Sequence, residues 1–407
     1  MALVKVDKLS QGQILAQDVR DINSRLLLAK GQEIGEQHIR VMKMWGIFEV
    51  HVEGQDIEPE QDDTPVDSEK LAVVGQQAQK VFNAVDVEHP AIREVVRLAI
   101  QYRLKHFTPP KPSVAVSSDS NRKPTNSQEV MAKLERIDIK LPEVPSLVFE
   151  LNEIIADPMS SAGDIAQVVN KSPSLAATLL KIVNSAFYGF RSKIDNISRA
   201  VMMMGSKEVS NLALGITIME TFRSIPKEVI DVSSFLEHNL ACGTVARILA
   251  AHSNIANTEQ LFVSGMLHDI GRLILCKYFP QFAKLTFIEA VDSGRPLLKA
   301  EQAMLGCTHV HLGKKLLNKW KLPYSLENNV YYHHNPSASP NPETASLLQM
   351  ADLIVHGLNI GHSGEHTVPS FDTKAWARVN LPVGAFQTLI KQAEHQLEAF
   401  REVLAKG

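Results

Sequence analysis

The segment of residues 261–275, LFVSGMLHDIGRLIL, most constrains how this chain folds, because an adjacent histidine and aspartate interrupt an apolar, helix-like run. Burying His268 and Asp269 in such a segment costs free energy unless both side chains are satisfied. Neutral imidazole and carboxylate are ordinary ligands of divalent metal ions, so a metal ion would satisfy both. A hydrogen bond between the two side chains inside a helix bundle is the alternative, and the dipeptide by itself does not choose between them.

The composition is that of an ordinary globular protein. The 407 residues, 44% hydrophobic and 21% charged, are enough for two or three domains. With a formal net charge of -3, the chain lacks the excess of basic residues typical of nucleic-acid binders, so we predict no nucleic-acid partner. We expect no membrane span and no secretion signal, since no apolar run reaches about 18 residues and the first residues lack an apolar signal region. Three widely spaced cysteines without a CxxC pair favour a cytoplasmic location.

Composition and periodicity divide the chain into five parts. Residues 1–53 show short alternating runs that predict a small β-rich module. Residues 54–107 are an acidic linker followed by a helical connector, and residues 108–130 are a Pro- and Ser-rich linker. Residues 131–372 show one helical pattern after another without alternating strands, which predicts an all-α domain. Residues 373–407 hold a C-terminal helix that either closes the domain or forms a homodimer contact.

Local signals in the all-α part predict helix ends. Ser161 followed by Asp164 three residues later indicates a capping box. Ser172 before Pro173 indicates a cap with proline at the first helical position. The three consecutive methionines at residues 202–204 are predicted to pack in the core.

Several histidines and one aspartate fall on the inward faces of these predicted helices. His238 shares a face with Cys242, and His309 shares one with Trp320, whereas His311 faces outward. A carboxylate on an apolar helix face is rare unless it is paired or bound to a cation. The predicted inward set is His238, His268, Asp269, His309, His333, His334 and Asp352. A dinuclear metal site with a bridging carboxylate needs this kind of inventory.

The order His238, then His268-Asp269, then Asp352 resembles the HD superfamily of metal-dependent phosphohydrolases. The resemblance implies up to two divalent ions, Fe, Mn or similar, with the two aspartates and His268 as central ligands and the other four histidines around them. If catalysis is retained, it implies metal-activated water attacking a phosphate ester of a nucleotide or cyclic dinucleotide.

Four blocks earlier in the chain resemble the HDOD domain, the HD-related output domain of bacterial signalling proteins. These blocks are LPEVP at residues 141–145, KSPSLAA at 171–177, VNSAFYG at 183–189 and the segment 197–205. The resemblance covers residues 131–357. HDOD domains are generally regarded as relatives that have lost catalysis and serve as regulatory or interaction modules. Residues 1–53 resemble the small module that precedes some HD-GYP phosphodiesterases.

The chain keeps the His and Asp positions of active relatives but departs from the HD-GYP pattern in three places. Asn335 and Pro336 follow the paired histidines, where that pattern has Gly-Tyr-Pro. Arg272 replaces the lysine of HDIGK, and Ser234 stands where trinuclear members place an acidic ligand. These departures disfavour a cyclic-di-GMP hydrolase and leave a two-metal site open.

We therefore predict a bacterial signalling or regulatory protein whose HDOD domain is a non-catalytic output or interaction scaffold, with a metal-bound or nucleotide-occupied pocket. Its expected partners are other signalling proteins. The alternative is a metal-dependent phosphohydrolase or phosphodiesterase, so the sequence leaves open whether the chain is an enzyme.

Overall fold

The structure is a computed structural model that describes residues 2–6, 9–20, 26–44, 49–53, 68–107, 143, 145–157, 159–184, 188, 190, 192–255, 258–379 and 381–405. The predicted Pro- and Ser-rich linker and most of the predicted acidic linker lie outside these residues.

The N-terminal part contains short strands and one helix. These are β1 (Ala2–Lys5), β2 (Val19–Arg20), β3 (Leu26–Leu28), α1 (Glu36–Met44) and β4 (Glu49–Val52). β1 pairs antiparallel with β4, and β2 with β3. Leu15, Ile34 and Met42 are buried between them. Ile14 and Leu15, between β1 and β2, form isolated bridges with Glu33 and Val52. The likeness of this module to those of HD-GYP proteins stays a prediction.

The remaining described chain is helical, and the all-α prediction is confirmed. The helices are α2 (Ser68–Val81), α3 (Pro90–Lys105), α4 (Ser146–Ala156), α5 (Ala162–Asn170), α6 (Pro173–Val183), α7 (Ile197–Met204), α8 (Ser206–Glu220), α9 (Val232–His252), α10 (Thr258–Leu267), α11 (Ile270–Tyr278), α12 (Pro280–Ser293), α13 (Leu297–Leu305), α14 (His309–Lys319), α15 (Tyr324–Tyr332), α16 (Pro342–Leu358), α17 (Thr373–Trp376) and α18 (Phe386–Ala405). None of the described helices is long and apolar enough to cross a lipid bilayer.

The local capping signals act as predicted. Oγ of Ser161 accepts a hydrogen bond from the backbone nitrogen of Asp164 at 3.2 Å, and the Asp164 carboxylate accepts one from the Ser161 nitrogen at 2.9 Å. Ser172 caps α6 by accepting from the nitrogen of Leu175. The prediction for the methionines is wrong at two positions, since Met202 and Met203 are exposed. α7 is short and buries its other face, through residues such as Ile197, in the core.

Two apolar cores meet at the long helix α9. The first core is formed mainly by α4 to α8 together with α10, α11 and α14. The second is formed by α2, α3, α16 and α18. α9 contributes Phe235 and Leu240 to the first core and Cys242 and Val245 to the second. The C-terminal helix buries Phe386 in the second core and so closes the domain, one of its two predicted roles.

Two glycines allow the helices around this junction to touch through their backbones. A β-carbon at Gly265 would lie 2.4 Å from Cα of Gly243, so the absence of a side chain at Gly265 lets α10 contact the backbone of α9. A β-carbon at Gly271 would lie 1.9 Å from the carbonyl oxygen of His309, so the absence of a side chain at Gly271 lets α11 contact the backbone of α14. A side chain at either position would separate the pair of helices, because packed interiors have no room for an added methyl group at such a contact.

Candidate metal centre

The His268-Asp269 pair lies at a junction between two helices rather than inside one. α10 ends at Leu267 and α11 begins at Ile270, so the apolar run is two helices with the pair between them. Both side chains are fully buried. Because both helices are buried on most sides, hydrophobic periodicity does not reveal the break.

A first group of donor atoms surrounds the carboxylate of Asp352 in α16. Nε2 of His238 lies 3.2 Å from Oδ1 of Asp352, and Nε2 of His268 lies 3.5 Å from the same oxygen. Sγ of Cys242, one turn after His238 on α9, lies 3.8 Å from it. One donor atom from each of these four buried residues lies within 4.8 Å of the others.

A second group surrounds the carboxylate of Asp269. Nε2 of His309 lies 3.2 Å from Oδ1 of Asp269, and Nε2 of His333 lies 4.0 Å from it. Nε2 of His334 is 3.2 Å from Nε2 of His309. These four donors also lie within 4.8 Å of one another, and all but the half-buried His334 are fully buried.

His268 and Asp269 connect the two groups. Nε2 of His268 lies 3.3 Å from Oδ2 of Asp269 as well as 3.5 Å from Asp352. The structure therefore brings all seven residues of the inward set into one centre. A carboxylate placed between two donor groups is the arrangement on which two-metal centres are built.

Three of the histidines present the nitrogen that a metal ion would use. Nδ1 of His268 and Nδ1 of His333 each donate to a backbone carbonyl, at 2.8 and 2.7 Å. Nδ1 of His309 donates to Oε2 of Glu301 at 2.7 Å. Because carbonyl and carboxylate oxygens only accept, the proton of the neutral ring stays on Nδ1 and the lone pair of Nε2 faces the centre. A hydrogen bond of this kind at the other ring nitrogen is typical of metal-ligating histidines.

Three of these central atoms lack a partner. Among the described residues, Nε2 of His268, Nε2 of His333 and Oδ1 of Asp269 are buried without a hydrogen bond. Leaving buried polar atoms unsatisfied costs about 1–3 kcal/mol each. A divalent cation would satisfy all three, and imidazole with carboxylate suits Fe, Mn, Co and Zn. The donor set therefore fits such ions.

Charges inside the centre are strongly coupled. Burial raises the pKa of Asp269 and of Asp352, but Arg272 beside the first, and the imidazoles of His356 and His268 beside the second, hold each pKa well below its usual range. Burial lowers the pKa of His268, but the two carboxylates outweigh it and raise that pKa to about 10. Burial and the neighbouring imidazoles lower the pKa of His333 to about 3. Without a cation, a proton on His268 offsets part of the negative charge.

Arg272 is a part of the centre that sequence reasoning treated only as a departure from the lysine of relatives. It is buried, and Nη1 donates to Oδ2 of Asp269 at 2.6 Å and to Oγ of Ser363 at 2.7 Å. The carboxylates of Glu301 and Glu365 lie 3.7 and 3.9 Å from its other nitrogens. Its guanidinium is therefore enclosed by carboxylates and holds Asp269 in place.

Sequence reasoning missed His356 and Glu301. Nε2 of His356 is buried, has no hydrogen bond within the described part of the chain, and lies 3.3 Å from Oδ1 of Asp352. His356 is one helical turn after Asp352, so the spacing of four residues could have identified it. Glu301 in α13 has no such signal, because its partners Arg272 and His309 belong to other helices.

Residues 141–336 match the HDOD domain, so the chain contains an HDOD domain. The matched region includes six of the seven residues of the inward set. It ends before the seventh, Asp352, and before His356.

Solved structures show the same fold. A presumed phosphohydrolase of Shewanella amazonensis SB2B is 22% identical, with a TM-score of 0.54, over 66% of this chain and 98% of that one. An HDOD domain protein with unknown function from Geobacter sulfurreducens is 20% identical, with a TM-score of 0.53 and the same coverages, 66% and 98%. A presumed signal transduction protein of Marinobacter aquaeolei VT8 is 21% identical, with a TM-score of 0.52, over 81% of this chain and 68% of that one.

One relative is similar in sequence over a longer stretch than the domain itself. An uncharacterized protein of Treponema pallidum (strain Nichols) is 27% identical over 213 residues. The similarity spans 51% of this chain and 40% of the length of that relative.

Proposed function

We propose that this chain is a signalling or regulatory protein whose HDOD domain binds two divalent transition-metal ions and acts through protein partners rather than by turnover. The observation that carries this proposal is a set of buried donor atoms, on His268, His333 and Asp269, that form no hydrogen bond with any described residue. Such atoms are costly in a metal-free protein and become ligands once a cation is present.

Each group of donors has a defined role in this proposal. The first ion would be held by His238, His268 and Asp352, and the second by His309, His333 and His334, with Asp269 between them. When bound, the ions supply positive charge that neutralises the two carboxylates and Lewis acidity toward a phosphate oxygen. Arg272 and Glu301 hold Asp269 and His309 in the orientation that ligation requires.

Burial of the donors supports binding over catalysis. A phosphate ester would have to reach ions enclosed by side chains that are almost completely removed from solvent. The side chains with 0–2% of their surface exposed are His238, His268, Asp269, His309, His333 and Asp352. An ion in this position stabilises the fold and the arrangement of helices that partners contact.

One observation favours the second candidate, a metal-dependent phosphohydrolase acting on a nucleotide or cyclic dinucleotide. His334, at the edge of the second group, is half-buried, and so are Tyr331 and Tyr332 one turn before it. Exposed His311 lies 3.4 Å from the Tyr331 hydroxyl. In this candidate function, a phosphate ester would approach the centre from this edge.

Elemental analysis of protein purified without chelator tests the proposal. We expect about two equivalents of Fe, Mn, Co or Zn, and a large loss in Asp269→Asn but not in the exposed matched variant Asp195→Asn. An activity screen on cyclic dinucleotides, nucleotides and a generic phosphodiester separates the two candidates. Hydrolysis by the wild type that Asp269→Asn abolishes would establish the phosphohydrolase. A protein that binds no metal, even after reconstitution, would refute both.

A further inference from the structure

We infer that Cys242 is a ligand in the first group, which makes this group a mixed imidazole, carboxylate and thiolate site for a softer ion such as zinc, cobalt or iron. This inference rests on the proposed function, because it needs a cation in the centre. It makes the two groups chemically different, since the second group offers only imidazole and carboxylate.

The position of Cys242 on α9 directs its sulfur into the first group. Cys242 follows His238 by four residues, so the two side chains share one helix face. Cys242 is fully buried, and Sγ lies 3.5 Å from Nε2 of His238 and 3.8 Å from Oδ1 of Asp352. The backbone of Cys242 packs closely against Gly265 of α10: a β-carbon at Gly265 would lie 2.7 Å from the carbonyl carbon of Cys242. This contact fixes the position of Cys242 on α9.

Four of the six separations between the donors match those around a tetrahedral ion, and all six are within 4.8 Å. With metal–nitrogen and metal–oxygen bonds of about 2.0–2.1 Å and a metal–sulfur bond of about 2.3 Å, nitrogen and oxygen donors are about 3.3 Å apart and sulfur is about 3.6 Å from each. The observed nitrogen–oxygen separations are 3.2 Å for His238 and 3.5 Å for His268, both to Asp352. The sulfur separations are 3.5 and 3.8 Å, to His238 and Asp352.

An independent observation points to a cation at the same place. Nε2 of His268 is fully buried, has no hydrogen-bond partner among the residues that the structure describes, and faces the same oxygen of Asp352 as the sulfur does. A thiol acting only as a hydrogen-bond donor to Asp352 would leave that nitrogen unsatisfied. A single ion bound by His238, Cys242, His268 and Asp352 would satisfy this nitrogen together with the Asp352 oxygen that it faces.

A thiolate ligand decides which ions this group selects. Thiolate is a soft ligand that favours zinc, cobalt and iron, whereas magnesium and manganese prefer oxygen donors in octahedral geometry. We therefore expect the first group to bind zinc or cobalt more tightly than manganese, and to lose most of that preference when the sulfur is replaced by oxygen.

Cobalt is a suitable probe because thiolate coordination to Co²⁺ gives a charge-transfer absorption in the near-ultraviolet. Metal-free full-length protein is titrated with CoCl₂, and bound cobalt is measured by elemental analysis in the same samples. We expect the band in the wild type, its loss in Cys242→Ser, and at least a tenfold fall in the ratio of zinc to manganese affinity. Cys276→Ser is the matched control, since Cys276 is equally buried but lies in the first apolar core.

The wild-type spectrum decides the inference even if the Cys242 variant folds poorly. A Cys276→Ser/Cys307→Ser variant, which retains Cys242 alone, should keep the full band. Bound cobalt without the band, or a band that survives in Cys242→Ser, would overturn the ligand role and leave the proposed function standing. A wild type that binds no cobalt, zinc or manganese would overturn both.

Discussion

The carboxylate of Glu301 accepts two hydrogen bonds from His309, one from the backbone nitrogen at 2.9 Å and one from Nδ1 at 2.7 Å. His309 is the first residue of α14, where backbone nitrogens lack partners within the helix and a negative charge is favourable. Glu301 therefore caps this helix and also fixes which nitrogen of His309 faces the centre.

We expect Glu301→Gln to weaken metal binding by about tenfold to 100-fold, because it removes the charge that orients His309 and makes its Nε2 a stronger ligand. A competition titration against a chelator of known affinity measures the change. Glu289→Gln is the control, since Glu289 lies exposed on α12. Equal affinities for the two variants would mean that Glu301 does not support the ligand.

Gly271→Ala should destabilise the protein by at least about 3 kcal/mol, since the added methyl group would overlap the His309 carbonyl oxygen and force α11 away from α14. Urea unfolding followed by circular dichroism measures the loss. Gly75→Ala is the matched helical control, because its β-carbon would meet no atom within 4 Å. That variant should gain up to about 1 kcal/mol from helix propensity.

Arg272→Met should destabilise the metal-free protein by about 3–5 kcal/mol, because it leaves the buried carboxylate of Asp269 without its cation. The exposed ion pair between Arg93 and Glu88 offers the comparison, and Arg93→Met should cost less than about 1 kcal/mol. Both values come from denaturant titrations at pH 7. A small loss for Arg272→Met would show that water or rearrangement compensates for the missing charge.

The stability of the metal-free protein should be greatest near pH 6.5. Below that pH the unfolded chain protonates His333, whereas the folded protein, in which the pKa of His333 is about 3, does not. Stability therefore falls on acidification by about 1.4 kcal/mol per pH unit for this group. The pKa of His268 is raised to about 10, so this group adds to the stability of the folded protein. That added stability is fully present below about pH 6.5 and is lost as the pH rises toward 10.

Denaturant titrations between pH 5 and pH 9 check both limbs of this profile, in a range where aspartates contribute little. His333→Asn should reduce the slope of the acidic limb by about 1.4 kcal/mol per pH unit and leave the alkaline limb unchanged. The remaining acidic slope is expected from His334, His356 and His362, because burial lowers the pKa of each of them too. A profile in which that variant still loses stability equally on acidification would contradict the assignment to His333.

The central residues could be predicted because each is an anomaly on an otherwise apolar helix face. Asp352 is surrounded in sequence by residues such as Leu348 and Val355, and a buried carboxylate there must have a partner. The same reasoning found His238 and His309. It relied on helical spacing, which is a local property of the chain.

The remaining parts of the centre depend on which helices meet. Glu301 and Arg272 are remote in sequence and become neighbours only because backbone contacts such as that at Gly271 bring their helices together. The junction at His268 was hidden by helices that are apolar on most sides. Met202 was misplaced because a run of methionines carries no information about which face of a short helix is covered.

The meeting of the two apolar cores at α9 has a mechanical consequence. Asp269 is flanked by Leu267 and Ile270 of the first core, whereas Asp352 is flanked by Leu353 of the second. Sliding one half over the other would pull ionised groups apart where little water can screen them, a cost that rises steeply with separation. The halves are therefore expected to move together or to separate as units, and an ion bound as proposed would link them.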